Sequence, residues 1–283
     1  MNSPPCAFTV DVEDYFQVDA FSDVIPVSTW GAFESRVVAN TSRLLDLLDE
    51  HQVRGTFFVL GWIAERHTAL VRAIAARGHE IASHGMTHQR VFTQTPAVFR
   101  QETRDSKRLL EDLIQAPVLG YRAATYSITR RSLWALDILH EEGFVYDSSI
   151  FPVRHDRYGI PDARTVPHRL ATPGGRTIIE YPLTSVRILG VNFPVAGGGY
   201  FRLFPYGLTR WGLRRVTAEG RPLVFYLHPW EVDPGQPRVE GALWRSRFRH
   251  YLNLDKTLPR LHRLLQDFQF STMRDCLSAQ GLL

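Results

Sequence analysis

The sequence has little cysteine, almost no lysine and no long apolar run. Its two cysteines, Cys6 and Cys276, are too few for a disulfide framework or a thiolate metal cluster. No apolar stretch reaches the roughly 18 residues that a membrane-spanning helix needs. There is no internal repeat and no clean linker. At the start, Met1-Asn2-Ser3-Pro4-Pro5 leads straight into Cys6-Ala7-Phe8-Thr9-Val10, without the basic region and apolar segment of a secretory signal. A cytoplasmic location is therefore expected. Lys107 and Lys256 are the only lysines, so nearly all the basic charge is arginine.

What the chain does have is apolar and aromatic content. Of 283 residues, 44% are hydrophobic and 12% aromatic, enough to bury a sizeable core and to exclude a disordered chain. The net charge of +4 hides an asymmetry. Residues 1–149 carry 14 Lys+Arg against 19 Asp+Glu, a net −5, and residues 150–283 carry 19 against 10, a net +9.

Strand-like and helix-like segments alternate through the first half. Residues 35–51 place Val37, Val38, Leu44, Leu45, Leu47 and Leu48 at helical spacing, and Thr56-Phe57-Phe58-Val59-Leu60 reads as a buried strand. A helix is expected over 63–77, closed by Gly78. A short strand follows at 79–82, a helix over 95–115, a strand at 118–121 and a helix over 129–142 stopped by Gly143. Strands alternating with helices of this length imply parallel pairing, hence an α/β barrel or doubly wound sheet. After about residue 150, Pro, Gly and Arg become frequent, and helical periodicity fades until a final helix over 257–269. The expectation is one domain, 1–283, with insertions from about 150 and a C-terminal segment at 231–283.

In parallel α/β sheets, catalytic groups collect at the C-terminal ends of strands. Four such ends carry polar groups: Asp11-Val12-Glu13-Asp14, His84-Gly85-Met86-Thr87-His88, Arg122, and His228. One His or Asp at a strand end is usually a hydrogen-bonded structural residue, but four behind successive apolar strands are hard to attribute to chance. His84 and His88 have i,i+4 spacing, which on a helical turn aims both imidazoles at one point. A carboxylate from the first strand would complete a two-His-one-carboxylate set with open positions. A divalent ion there would acidify water and polarise a carbonyl, and a second carboxylate could act as general base.

As a set, these residues resemble the polysaccharide deacetylases of carbohydrate esterase family 4, the NodB-homology group. The first motif is Thr9-Val10-Asp11-Val12-Glu13-Asp14, the second His84 and His88, and the third Arg122-Ala123-Ala124-Thr125-Tyr126. The fourth is Asp147 in Tyr146-Asp147-Ser148-Ser149, and the fifth Leu227-His228. Further segments, Gly197-Gly198-Gly199-Tyr200-Phe201-Arg202 and His228-Pro229-Trp230-Glu231 among them, resemble a subgroup with a C-terminal extension associated with exopolysaccharide gene clusters. The resemblance implies an irregular (β/α) barrel with C-terminal insertions. It also implies hydrolytic N-deacetylation of an N-acetylated sugar in an exopolysaccharide or its precursor.

Residue by residue, the resemblance makes Asp11 the general base and His228 the acid that protonates the leaving amine. Arg122, paired with Asp147, would position Asp11. His84 and His88 would hold one divalent ion (Zn, Co, Ni or Mn). The amide near Thr125 would stabilise the oxyanion, and Tyr126, Leu227 and Tyr200 would line the substrate. Two positions depart from the family pattern. Ala124 replaces a proline, which is expected to loosen the loop carrying the oxyanion donor. The metal carboxylate is either Asp14, the favoured choice, or Glu13; an extended strand puts Glu13 on the face of Asp11, and Asp14 reaches the site only if the strand bends.

The glycines at 197–199 lack the Lys-Ser/Thr of a phosphate loop and suggest a tight turn that brings Tyr200 towards the site. Arg154, His155, Asp156 and Arg157 form either an anion contact or a solvated charge cluster. The stretch Trp244-Arg245-Ser246-Arg247-Phe248-Arg249-His250-Tyr251 suits an anionic membrane surface, where lipid-linked saccharides are presented. Arginines bridging to the acidic N-terminal half would give the same composition. With no nucleic-acid motif, nucleic acid is not an expected partner. Two rivals stay open: a metal-independent amidohydrolase of a small amide, and a catalytically inactive glycan-binding protein.

Overall fold

The computed structural model describes residues 5–155 and 158–283, so Asp156 and Arg157 of the charge cluster lie outside the described residues. Ten strands are present among the described residues: β1 (Cys6–Val12), β2 (Thr56–Val59), β3 (Glu80–Ser83), β4 (Gly120–Tyr121), β5 (Tyr146–Asp147), β6 (His168–Ala171), β7 (Thr177–Glu180), β8 (Ser185–Ile188), β9 (Val191–Pro194) and β10 (Leu223–Leu227). Eight form one curled sheet in the order β10-β1-β2-β3-β4-β5-β7-β6, parallel throughout except for the β6–β7 pair. This is the irregular (β/α) barrel expected from the sequence. The remaining two strands form a separate hairpin.

The helices are α1 (Val37–Glu50), α2 (Gly61–Arg66), α3 (Thr68–Ala76), α4 (Pro96–Ile114), α5 (Trp134–Glu141), α6 (Gly198–Leu203), α7 (Tyr206–Ala218), α8 (Trp244–Tyr251), α9 (Thr257–Asp267) and α10 (Met273–Ala279). The helix expected over 63–77 is two, broken at His67, whose φ/ψ of −126°/51° is not helical. The faded periodicity after 150 conceals α6, α7 and α8. In α7, Gly207, Thr209 and Gly212 interrupt the apolar pattern. Gly212 is there because a Cβ would come within 3.1 Å of Val195.

Strand alternation splits the apolar side chains into two clusters. Phe8, Val10 and Val12 of β1 pack with Leu44, Leu45 and Leu48 of α1 in the layer between sheet and helices. Ala7 joins Phe58, Ala82, Tyr146, Val224 and Tyr226 on the inner side of the curl, where Met273, Cys276 and Leu277 of α10 also pack. Fully burying a side chain such as Phe8 or Phe58 contributes roughly 2–3 kcal/mol. The same alternation puts Thr9 and Asp11 on the inner side with Ala7, which is how an apolar strand delivers a carboxylate to the mouth of the barrel. Among the described residues, no helix is long and apolar enough to cross a membrane.

Candidate active site

Asp11 is 1% exposed and held from two sides. The Arg122 guanidinium donates from Nη1 to Asp11 Oδ1 (2.6 Å) and to Thr9 Oγ1 (2.9 Å), and Tyr126 O–H reaches Asp11 Oδ2 at 3.4 Å. Arg122 is itself fixed by Ser148, through its carbonyl (3.2 Å) and hydroxyl (3.1 Å), and lies 4.0 Å over the Phe58 ring. Burial works against the guanidinium charge, but the Asp11 carboxylate outweighs it, and Arg122 titrates above its ordinary value. A buried pair of this kind adds little net stability; it fixes the direction of one carboxylate.

The expected partner of Arg122, Asp147, makes no hydrogen bond to it. Asp147 instead accepts from the Ser149 hydroxyl (2.6 Å), and that hydroxyl accepts the Ala123 amide (2.8 Å). Asp147 thus braces the backbone beside Arg122, while Ser148 and Thr9 orient the guanidinium. The expectation of a loosened 124–126 loop is also corrected. Ala124 is buried, and its carbonyl accepts both the hydroxyl (2.6 Å) and the amide (3.1 Å) of Ser127. Thr125 and Tyr126 are held in the left-handed region at φ 56° and 51°, a conformation costly for a β-branched residue and concentrated at functional sites.

One residue beyond the end of β1, Glu13 keeps to the face of Asp11. Its carboxylate and the imidazoles of His84 and His88 bring donor atoms within 4.8 Å of one another. The histidines come from a loop, not the helical turn expected from their spacing; Gly85 at φ 77° and His88 at φ 54° fold it so that the rings lie 5.2 Å apart. Thr87 ties this loop to Glu102 at 2.5 Å. His84 places Nδ1 at 2.8 Å from the Arg122 carbonyl, so Nδ1 carries the proton and Nε2 keeps its lone pair for the cleft. Burial pushes His84 down to about 4, favouring the neutral form.

Glu13 Oε1 accepts the Trp230 indole N–H at 3.2 Å. Glu13 Oε2 is buried 2.8 Å from His88 Nε2 and makes no well-formed hydrogen bond. Burial alone would raise the Glu13 carboxyl, but the fields of His88 and His228 outweigh it and hold it well below its usual range. A buried carboxylate oxygen without a well-formed hydrogen bond, converging with two imidazoles, is a donor set that fits a divalent cation.

Asp14, the favoured ligand from the sequence, is turned away. Its Oδ2 accepts Ser35 Oγ (2.8 Å) and the amides of Arg36 (2.8 Å) and Val37 (3.1 Å), and its Oδ1 accepts its neighbour's amide at Tyr15 (3.0 Å). It anchors the N-terminus of α1, where a carboxylate satisfies orphan amides and complements the helix dipole.

His228 follows β10 and faces Asp11 and Glu13, with Nε2 at 3.9 Å from Asp11 Oδ2 and 3.6 Å from Glu13 Oε1. Its other nitrogen, Nδ1, is 2.8 Å from Glu231 Oε1, and Glu231 Oε2 accepts Arg202 Nε at 2.6 Å. Arg202 also donates to the carbonyls of Arg249, His250 and Leu252 at the end of α8. Burial disfavours the imidazolium, but Glu13, Glu231 and Asp11 together push His228 up to about 9. The sequence motifs contain Trp230, Glu231 and Arg202 but gave them no role; their relation to His228 and Glu13 emerges only in three dimensions.

These groups line a cleft of about 180 Å³ together with Thr125, Tyr126, Tyr158, Gly198, Gly199 and Tyr226. Leu227, expected to line it, points the other way into the layer beneath the helices, and alternation gives its place to Tyr226. Gly197 lies against the β10 backbone, where a Cβ would sit 1.9 Å from the Tyr226 carbonyl oxygen. That close approach, at φ 136°, brings the start of α6 into the cleft. Tyr200 lines a neighbouring groove instead.

Comparison with known proteins agrees with this architecture. Residues 28–141 match the polysaccharide deacetylase family, and residues 148–278 match a domain of unknown function, DUF3473. Over 99 residues the chain is 35% identical to a chitooligosaccharide deacetylase of Rhizobium leguminosarum bv. trifolii, and 50% identical to one of Sinorhizobium fredii. Each alignment takes in 35% of this chain and less than half of the relative, 43% and 44% respectively. A Mycobacterium smegmatis structure described as a polysaccharide deacetylase superposes with TM-score 0.62 at 24% identity, over 100% of this chain and 93% of that one. Puue allantoinase superposes at 0.64 with 16% identity, over 99% and 92%. At these identities the structural likeness is one of fold. On the family match and the motif set, residues 28–141 belong to a polysaccharide deacetylase domain, followed over residues 148–278 by a region that matches DUF3473.

Proposed function

We propose that the protein is a hydrolase that removes the acetyl group from an N-acetylated sugar, and that its substrate is an exopolysaccharide or a precursor of one. The observation that carries the reading is the single cleft in which Glu13, His84 and His88 converge opposite Asp11 and His228. Glu13, His84 and His88 would hold one divalent ion, whose chemistry is to acidify water and polarise the acetamide carbonyl; this donor set suits Zn, Co, Ni or Mn.

The chain's own residues supply the proton traffic. Asp11, its carboxylate aimed by Arg122 and Tyr126, accepts a proton from the attacking water. His228, kept protonated by the surrounding carboxylates, donates from Nε2 to the departing nitrogen. The backbone amide at Thr125 donates to the oxyanion. The proton taken by Asp11 and the one given by His228 balance over the hydrolysis, which yields acetate and a free amine.

The test is acetate release from N-acetylglucosamine oligosaccharides. Asp11→Asn and His228→Ala should each lower it by about 10³-fold or more with the circular dichroism spectrum unchanged. Full activity in either variant sinks the assignment. Activity that survives exhaustive chelation would favour the metal-independent amidohydrolase. Saccharide binding without acetate release from metal-loaded protein would favour the glycan binder.

A further inference from the structure

Beside the cleft runs a groove of about 900 Å³, and Tyr158, Gly199 and Tyr226 line both. Its volume is that of a site for an oligosaccharide-sized ligand, not for an acetyl group. The far wall is α8, which presents two parallel stripes at i,i+4 spacing: Trp244 with Phe248, and Arg245 with Arg249. Arg154 also lines the groove. Trp244 is 71% exposed and Phe248 56%, large aromatic faces open to solvent, with the Arg245 guanidinium 5.4 Å from the centre of the Trp244 ring.

The charge is as one-sided as the aromatics. No carboxylate lines the groove among the described residues. Arg154, Arg245 and Arg249 form no ion pair with any described residue, whereas elsewhere on the surface Arg77 pairs with Asp46 and Asp49, and Arg100 and Arg104 share Glu142. Three cations that pair with no described carboxylate, beside exposed aromatic rings, leave an anionic, ring-bearing ligand as the chemical complement.

We infer that this groove binds the sugar units flanking the acetylated one, and that at least one of them carries a carboxylate. The inference rests on the deacetylase reading for what occupies the cleft, and on the groove itself for the acidic neighbour. Sugar rings lay their C–H faces on Trp244 and Phe248, while Arg245, Arg249 and Arg154 meet the carboxylates.

Calorimetric titration of the full chain decides it. A hyaluronan tetrasaccharide, alternating uronate and N-acetylglucosamine, should bind at least about tenfold tighter than neutral chitotetraose at low salt. That preference should shrink in high salt and fall below about threefold in the Arg245→Gln/Arg249→Gln double variant, with its circular dichroism spectrum unchanged. Trp244→Ala should weaken both saccharides equally. Equal affinity for the two tetrasaccharides, a preference that persists in the double variant, or tighter binding of UDP-N-acetylglucosamine than of the hyaluronan probe would each overturn the inference. Sedimentation with phosphatidylglycerol vesicles that the tetrasaccharide cannot displace and Trp244→Ala abolishes would also overturn it, assigning α8 to a membrane surface. Absence of acetate release from chitotetraose defeats the deacetylase reading alone, because the binding comparison needs no turnover.

Discussion

The two halves of the cleft are built by different means. On the β1 side, side chains reach the site by strand alternation: Thr9, Asp11 and Glu13 succeed one another on one face, and Arg122 leaves the end of β4 to meet them. On the β10 side, only His228 and Tyr226 come from the strand. The rest is a chain of hydrogen bonds, His228–Glu231–Arg202, that ends on the carbonyls closing α8. The first half is positioned by secondary structure and the second by buried polar contacts between segments distant in sequence. A change in the first half should therefore act at once on the chemistry, while a change in the second should loosen an orientation.

The sharpest way to break that comparison uses two adjacent carboxylates. Glu13→Gln should lower Zn²⁺ affinity by more than about 100-fold in a calorimetric titration, because it removes the only carboxylate of the donor set. Asp14→Ala should leave that affinity within about twofold of wild type, yet cost on the order of 3 kcal/mol and several degrees in Tm, because it strands the amides of Arg36 and Val37 and the hydroxyl of Ser35. Loss of metal binding in the Asp14 variant, with Glu13 intact, would reverse the two roles.

On the β10 side the effect should be smaller and confined to turnover. Glu231→Gln keeps the size of the side chain but removes the charge that orients and protonates His228. It should reduce kcat on the order of 10²-fold at an unchanged KM. A purely structural role for Glu231 would instead raise KM or lower Tm while kcat held, and that pattern would defeat the positioning argument.

This division also explains what was legible in the sequence. The barrel and the residues Asp11, His84, His88, Arg122 and His228 could be read from apolar strands ending in polar groups, and the same period of two separates Glu13 from Asp14. Preference for Asp14 failed although the chain turns just past β1, where the Glu13 amide donates to the Asp11 carbonyl; the Asp14 side chain is drawn off by the α1 amides, partners more than twenty residues away. Leu227 failed for the converse reason, since the period was not applied to β10. Glu231 and Arg202 lie 29 residues apart, and no periodicity links them. The segment 198–252 was hardest to read, because Gly197 and Gly212 are chosen for close approach and not for helix formation.

The smallest effect concerns the floor beneath Arg122, where Asp147 and Glu180 sit side by side, both fully buried. Burial pushes both carboxyls above their ordinary values, and the pair retains a proton that neither would hold in water. Glu180 Oε2 accepts no hydrogen bond, as fits an oxygen that carries that proton towards Asp147. Because the folded-state pKa lies above the unfolded value, the unfolded chain releases the proton first as pH rises. Stability is then lost from about pH 4.5 upward, at no more than about 1.4 kcal/mol per pH unit for each proton, until the folded pKa is passed. Glu180→Gln mimics the protonated acid, keeps an oxygen for the Ile150 amide and offers Asp147 an N–H. Its Tm should match wild type near pH 5 and exceed it by a few degrees at pH 8, with little change in acetate release. A Tm difference that does not grow with pH would mean that no proton is shared there, and that the Asp147 brace is held by Ser149 alone.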